Sequence, residues 1–195
     1  MNNKSIFPKV LFVVYAVFCA LLAISPLDRA VWFVENATVW VVVLTLVVLY
    51  VRGYRFSNTS YILMSVFIFM HTIGGHYTFE KVPFDFISEF FGMARNNYDR
   101  IAHFSVGFFA FPIIEWVQAK KAISQRWLAS LFALSIIVTI AALYEIFEWW
   151  YAVHSDPAAG IAVLGSQGDI WDAQKDMLAD TLGGVAAVIL AAFRR

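Results

Sequence analysis

The sequence predicts an all-α fold, a polytopic membrane helix bundle with about six transmembrane helices plus a short interfacial helix. Three observations carry that expectation. Of 195 residues, 61% are hydrophobic and only 14% charged, whereas charged residues alone approach a quarter of an ordinary soluble domain. The apolar residues collect in runs close to the ~20 needed to cross a bilayer. Seven Trp, eight Tyr and nineteen Phe supply the aromatic anchors typical of membrane–water interfaces. The length suits one integral-membrane domain over 1–195.

Taken in order, the first run, Phe7–Ile24, is followed by no convincing small-residue cleavage site and reads as a retained helix. Cys19 within it is packing filler, and as the single cysteine it excludes an internal disulfide. The second helix, Val34–Val51, has its purely apolar part shortened by Glu35 and Asn36. The third is Tyr61–Tyr77, the fourth Arg100–Gln118, the fifth Arg126–Tyr151 and the sixth Ile170–Phe193. Between the third and fourth, Pro83 suits a first helical turn. Phe84, Ile87, Phe90 and Phe91 recur at helical spacing opposite Asp85 and Glu89. These predict an interfacial helix at about 83–93, lying on the membrane surface. The connection from Ala152 to Gly168 holds Pro157, Gly160, Gly165 and Gly168 and reads as a shaped loop.

Basic residues set the orientation. With the N-terminus inside, Lys4, Lys9, Arg52, Arg55, Lys120, Lys121, Arg126, Arg194 and Arg195 fall on the cytoplasmic side. Arg29, Lys81, Arg95, Arg100 and Lys175 fall outside. That excess predicts both termini in the cytoplasm. All acids except Glu115 then lie in the outer half or the outer loops.

The sixth helix carries the sharpest signal. Asp172, Asp176 and Asp180, with Asp169 at its entrance, fall on one side of a helix. An acid at a helix centre costs roughly 2.5–3.5 kcal/mol on insertion scales, so such acids face a protein-lined, wet or ion-bearing interior. Two more motifs supply polar groups at the same level. Arg95-Asn96-Asn97-Tyr98-Asp99-Arg100 is followed by His103, and the four-residue step from Asp99 to His103 suits a metal pair or an oriented histidine. Tyr144-Glu145-Ile146-Phe147-Glu148-Trp149-Trp150 places Glu145 and Glu148 on adjacent turns. Oxygen-rich ligands with one or two His suit a divalent metal ion, while the absence of Cys clusters excludes a finger-type zinc site.

Plainer roles stand beside these. Asp169 and Asp172 suit helix capping, and Lys175 neutralises one neighbouring acid. Asp176 and Asp180 suit interhelical hydrogen bonding. His71, in an apolar run, reads as a packing histidine; His76 and His154 lie near interfaces, with His76 the one that can line the site. Glu148 among aromatics suits an interfacial anchor. Arg95 and Arg100 either grip a phosphate or carboxylate or pair with Asp99 and headgroups. Gly183-Gly184, Ala187 and Ala191 suit close helix packing.

The three motifs, Arg95 through Phe104, Tyr144 through Trp150 and Gly165 through Asp180, together resemble the YjdF-like family of bacterial inner-membrane proteins. The resemblance covers nearly the whole chain and implies a multi-pass protein of the bacterial inner (cytoplasmic) membrane; it supplies no reaction. The chain is also similar to VanZ-like proteins, associated with glycopeptide-antibiotic tolerance. Asp99-Arg100 with His103-Phe104, then Glu145, then Asp176, Asp180 and Gly183-Gly184 follow their pattern. It departs at Asp180, where VanZ-like helices commonly have Asn.

The leading functional expectation is a metal-assisted enzyme acting from the outer face on a lipid or lipid-linked envelope precursor. Its catalytic candidates are Asp99, His103, Glu145, Asp176 and Asp180. Its metal candidates are Asp99, His103, Glu145, Asp172 and Asp176, and its substrate-binding candidates Arg95, Arg100 and His76. The interfacial Phe cluster would admit the acyl chain. No Gly-x-Ser-x-Gly elbow or His-Glu-x-x-His helix is present, which removes the commoner hydrolase classes. The alternatives are a non-catalytic envelope integrity or antibiotic-tolerance factor, and a proton- or cation-coupled transporter in which Glu115 continues a relay. The expected partners are the lipid bilayer and a lipid or lipid-linked substrate, not nucleic acid.

Overall fold

The computed structural model describes residues 5–90, 92 and 95–193, without the side chains of Asp85, Ile87 and Ser88. Lys4, Phe91, Arg194 and Arg195, and the side chains of Asp85 and Ile87, therefore lie outside the described part of the chain. Among the described residues all regular structure is helical: α1 Phe7–Leu22, α2 Arg29–Val51, α3 Asn58–Tyr77, α4 Asp85–Phe90, α5 Tyr98–Val106, α6 Ala110–Ala119, α7 Arg126–His154, α8 Pro157–Leu164 and α9 Asp172–Phe193. Arg29–Val51, Tyr98–Ala119, Arg126–His154 and Asp172–Phe193 are long and apolar enough to cross a membrane, and Phe7–Leu22 is a shorter apolar helix.

Local chemistry sets the helix ends. Asp28 starts α2 five residues before the expected Val34, its carboxylate accepting from the backbone N–H of Ala30 at 2.8 Å and Val31 at 3.0 Å. Ser57 starts α3 the same way, accepting from Ser60 N–H at 3.2 Å. The stretch expected as loop after α7 contains α8. Asp156 caps it, Pro157 fills its first turn, and Gly165 closes it at φ +56°. Pro157 and Gly165 do mark breaks, but the breaks bracket a helix where a loop is expected. Within the segment expected as an interfacial helix at about 83–93, the described helix is α4, Asp85–Phe90.

The fourth expected span is α5 and α6 joined by a 3₁₀ turn, Gly107–Phe109. Pro112 offers no N–H to the Phe108 carbonyl, and the path tightens just before it. The same turn crosses α9 at backbone contact distance. A Cβ on Gly107 would collide with Gly184 N and Asp180 O, and one on Gly183 would collide with Phe104 O. The small-residue stripe therefore permits close α5–α9 packing.

That packing decides where the acids go. The buried face of α9 is Asp172, Asp176, Asp180, Gly183, Gly184 and Ala187, so the stripe faces protein, not acyl chains. Below it, α6, α7 and α9 share an apolar core of Phe111, Ile114, Val117, Ala133, Ile137 and Ala187. α1 joins at the edge through Tyr15, packed with Val39 and Ile68.

Candidate functional site

The site forms where α3 ends, α5 begins, α7 ends and α9 begins, which places these termini at one end of the bundle. Its outer layer is an arginine–carboxylate clamp. Arg95 Nη1 and Arg100 Nη2 both donate to Asp172 Oδ1 at 2.5 Å. Arg100 also reaches Asp176 Oδ1 at 2.9 Å, Asp169 Oδ2 at 3.2 Å and the Asp172 carbonyl at 3.0 Å. Arg95 donates to the carbonyls of Ser166 and Gly165. The forked guanidinium satisfies several acceptors at once, which a single ammonium does not. Asn96 and Gln167 exchange hydrogen bonds of 3.1 and 3.0 Å and tie the same two segments. The two arginines thus pair with the α9 stripe, not with Asp99. Asp169 also accepts from Lys175 Nζ at 2.6 Å and Trp171 N–H at 3.1 Å. These bonds, the lysine's first, hold its carboxyl below the usual aspartate range.

Beneath the clamp lies a histidine between carboxylates. His103 Nδ1 is 3.2 Å from Asp180 Oδ2, and its Nε2 is 3.6 Å from Asp99 Oδ1. Asp99, His103 and Asp176, all buried, each offer a ligand atom, and these atoms lie within 4.8 Å of one another. Asp180 Oδ1 and Glu145 Oε1 are buried with no hydrogen-bond partner. Glu145 interacts electrostatically with His103, Asp176, Asp99 and Asp180. Glu148, the expected interfacial anchor, is buried and lines the adjoining cavity.

The expected site residues therefore divide. Asp99, His103, Asp176 and Asp180 come together, with Glu145 beside them. Asp172 stands apart from the three-ligand group, gripped by both arginines. His76 is elsewhere, its Nδ1 2.7 Å from the Leu22 carbonyl at the end of α1. Exposed His154 sits 2.8 Å from the Trp150 carbonyl and stacks on its ring.

The family described as predicted membrane protein, DUF2238, matches residues 7–195. The chain belongs to that family. It is similar to the inner membrane protein YjdF of Escherichia coli (strain K12), 32% identical over 171 residues that cover 87% of this chain and 81% of that one. No solved structure matches the chain.

This DUF2238 protein has a second polar group that sequence reasoning passed over. Glu35, 1% exposed, lies with its Oε2 3.1 Å from His71 Nε2 and accepts from the Tyr144 hydroxyl at 3.0 Å. Thr38 Oγ1 is 3.4 Å from the same histidine nitrogen. Tyr144 stands between the two groups, its ring 6.1 Å from that of His71 and 6.2 Å from that of His103. The available signal was Glu35 itself, an acid inside an apolar run, which demands a partner as the α9 aspartates do.

Proposed function

We propose that this chain is a six-span inner-membrane protein with both termini cytoplasmic. Its outward-facing acid–histidine site holds a divalent cation and serves a hydrolytic or transfer reaction on a lipid or lipid-linked envelope precursor. The single observation carrying the reading is the convergence of Asp99, His103 and Asp176. Asp99, His103 and Asp176 would hold the cation, which would polarise a phosphoryl or carbonyl oxygen and lower the pKa of bound water. The protein's own residues have distinct parts. Asp180, on His103 Nδ1, orients the ring so that Nε2 turns toward Asp99, the carboxylate–histidine arrangement that positions metal ligands. Glu145, with its unpartnered oxygen, is placed to take a proton from water. Arg95 and Arg100 hold the start of α9 against α5 and so keep Asp176 in place.

The transport reading receives less support. Glu115, its inner relay group, accepts from Ser57 N–H and Oγ and from Ser60 Oγ at 2.6–2.7 Å, securing the start of α3.

Metal analysis of the detergent-purified protein tests the proposal. A stoichiometric divalent metal is expected in the wild type and lost in both Asp176→Asn and His103→Ala. Wild-type protein that is folded and metal-free after purification without chelator overturns it.

A further inference from the structure

The acid–histidine group borders a cavity of about 190 Å³ that extends sideways into the apolar part of the bundle. Its polar lining includes Asp99, His103, Glu148 and Asp180, with Tyr144 beside His103 and His71 beside Tyr144. The rest of the wall includes Val42, Phe67, Phe109, Ile113, Ile137 and Ile140. The apolar part of the wall suits an apolar guest. In the polar lining, Asp180 is 1% exposed and its Oδ1 has no partner.

The cavity has a definable mouth. α2 and α7 do not pack closely against each other along their length, and Tyr144 spans the gap to Glu35. α8 packs against both helices at the site end and closes the gap there. Ile140 lines the cavity yet is 47% exposed, whereas Ile137, one turn away, is fully buried. The rim is therefore near the middle of α7, at the depth of acyl chains. Polar entry from the bundle end would have to pass the Arg95 and Arg100 clamp.

From this geometry we infer that the ligand is a membrane amphiphile entering laterally between α2 and α7, its hydrocarbon chain in the Val42–Phe109–Ile137–Ile140 slot and its polar head against Asp99, His103 and Asp180. This deepens the proposed function and rests on it for the chemistry at the head; the chain slot is testable separately. It also reassigns the chain's route from the interfacial Phe cluster to the α2–α7 gap.

The test uses full-length protein in phosphatidylglycerol vesicles containing a phosphatidic acid with a mid-chain diazirine, with photo-adducts mapped by mass spectrometry. Bulk lipid labels outward residues such as Leu143 and Ile146, 60% and 57% exposed. Only a chain in the slot labels buried Ile137 and Ala141. Interior adducts are expected in the wild type and in the outward control Leu143→Trp, falling to background in Ile140→Trp and, from the opposite rim, Val42→Trp. Adducts confined to outward residues overturn the inference, as do interior adducts that persist in both rim variants. Metal content is measured on the same preparations. Interior labelling of metal-free protein sinks the metal reading and leaves this one standing; metal-loaded protein without interior labelling does the reverse.

Discussion

Arg100 donates to the carboxylates of Asp169, Asp172 and Asp176. Its side chain is 16% exposed, so Arg100→Met should destabilise by about 3 kcal/mol, the low end for unpairing a buried charge. Arg100→Lys should recover only part of this, because an ammonium lacks the fork. Thermal unfolding in detergent measures both, and a wild-type melting point for Arg100→Met contradicts the clamp. Asp169 gives a pH prediction. Its folded carboxyl titrates below the unfolded value of about 3.9, so its contribution to stability is present above that pH and is lost as pH falls through the lower folded value. Lys175→Met should move the Asp169 titration, followed by carboxyl NMR, up toward 3.9; an unmoved midpoint removes the lysine as principal cause. The two cases also show what a sequence displays at this scale. The α9 aspartates were legible because an unpaired acid in hydrocarbon is too costly to be accidental. Arg100's choice of partners 69 to 76 residues away was not, since Asp99 beside it was an equally good candidate. Glu35 obeyed the rule that exposed the aspartates, but its partners His71 and Tyr144 sit on two other helices.

Helices meet at the site because backbone meets backbone at one crossing. Gly183→Ala would drive a Cβ into Phe104 O, and Gly107→Ala would drive one into the α9 backbone. Neither neighbour can yield without separating α5 from α9, which carries His103 away from Asp180. At Gly184 the nearest obstacle is Leu134 Cδ2 at 2.9 Å, the flexible end of a side chain. Gly183→Ala and Gly107→Ala should therefore lower the melting temperature far more than Gly184→Ala. Equal effects would mean that the crossing is not the critical contact. The small-residue stripe was readable from spacing alone, as were the long apolar helices, because both are local patterns. α8 was missed for a different reason. An eight-residue helix shows little periodicity, and its Pro and Gly signal a break equally well whether a loop or a short capped helix follows.

Across the whole molecule, the aromatic residues fix a second geometry. Exposed Trp149 and Trp150 stand near one end of α7 and exposed Trp127 near the other. At ~1.5 Å per residue they are separated by roughly 33–35 Å, close to the ~30 Å hydrocarbon thickness that interfacial tryptophans bracket. Exposed Trp171, just before α9, lies at the same end as the site. The site residues then fall just inside one interface, and Ser57, Ser60 and Glu115 lie toward the other. Which interface is outer rests on the basic residues, concentrated around Arg52, Arg55, Lys120, Lys121 and Arg126 at the end away from the site. The proposed six-span, termini-inside arrangement is tested by single cysteines in a Cys19→Ser background, labelled on intact spheroplasts with a membrane-impermeant maleimide. Both probe positions, Ala158 at the start of α8 and Lys121 between α6 and α7, are exposed. Ala158→Cys should label without permeabilisation and Lys121→Cys only after it. The opposite pattern would put the acid–histidine site on the cytoplasmic side and leave an envelope precursor out of its reach, even if the metal and the chain slot both proved real.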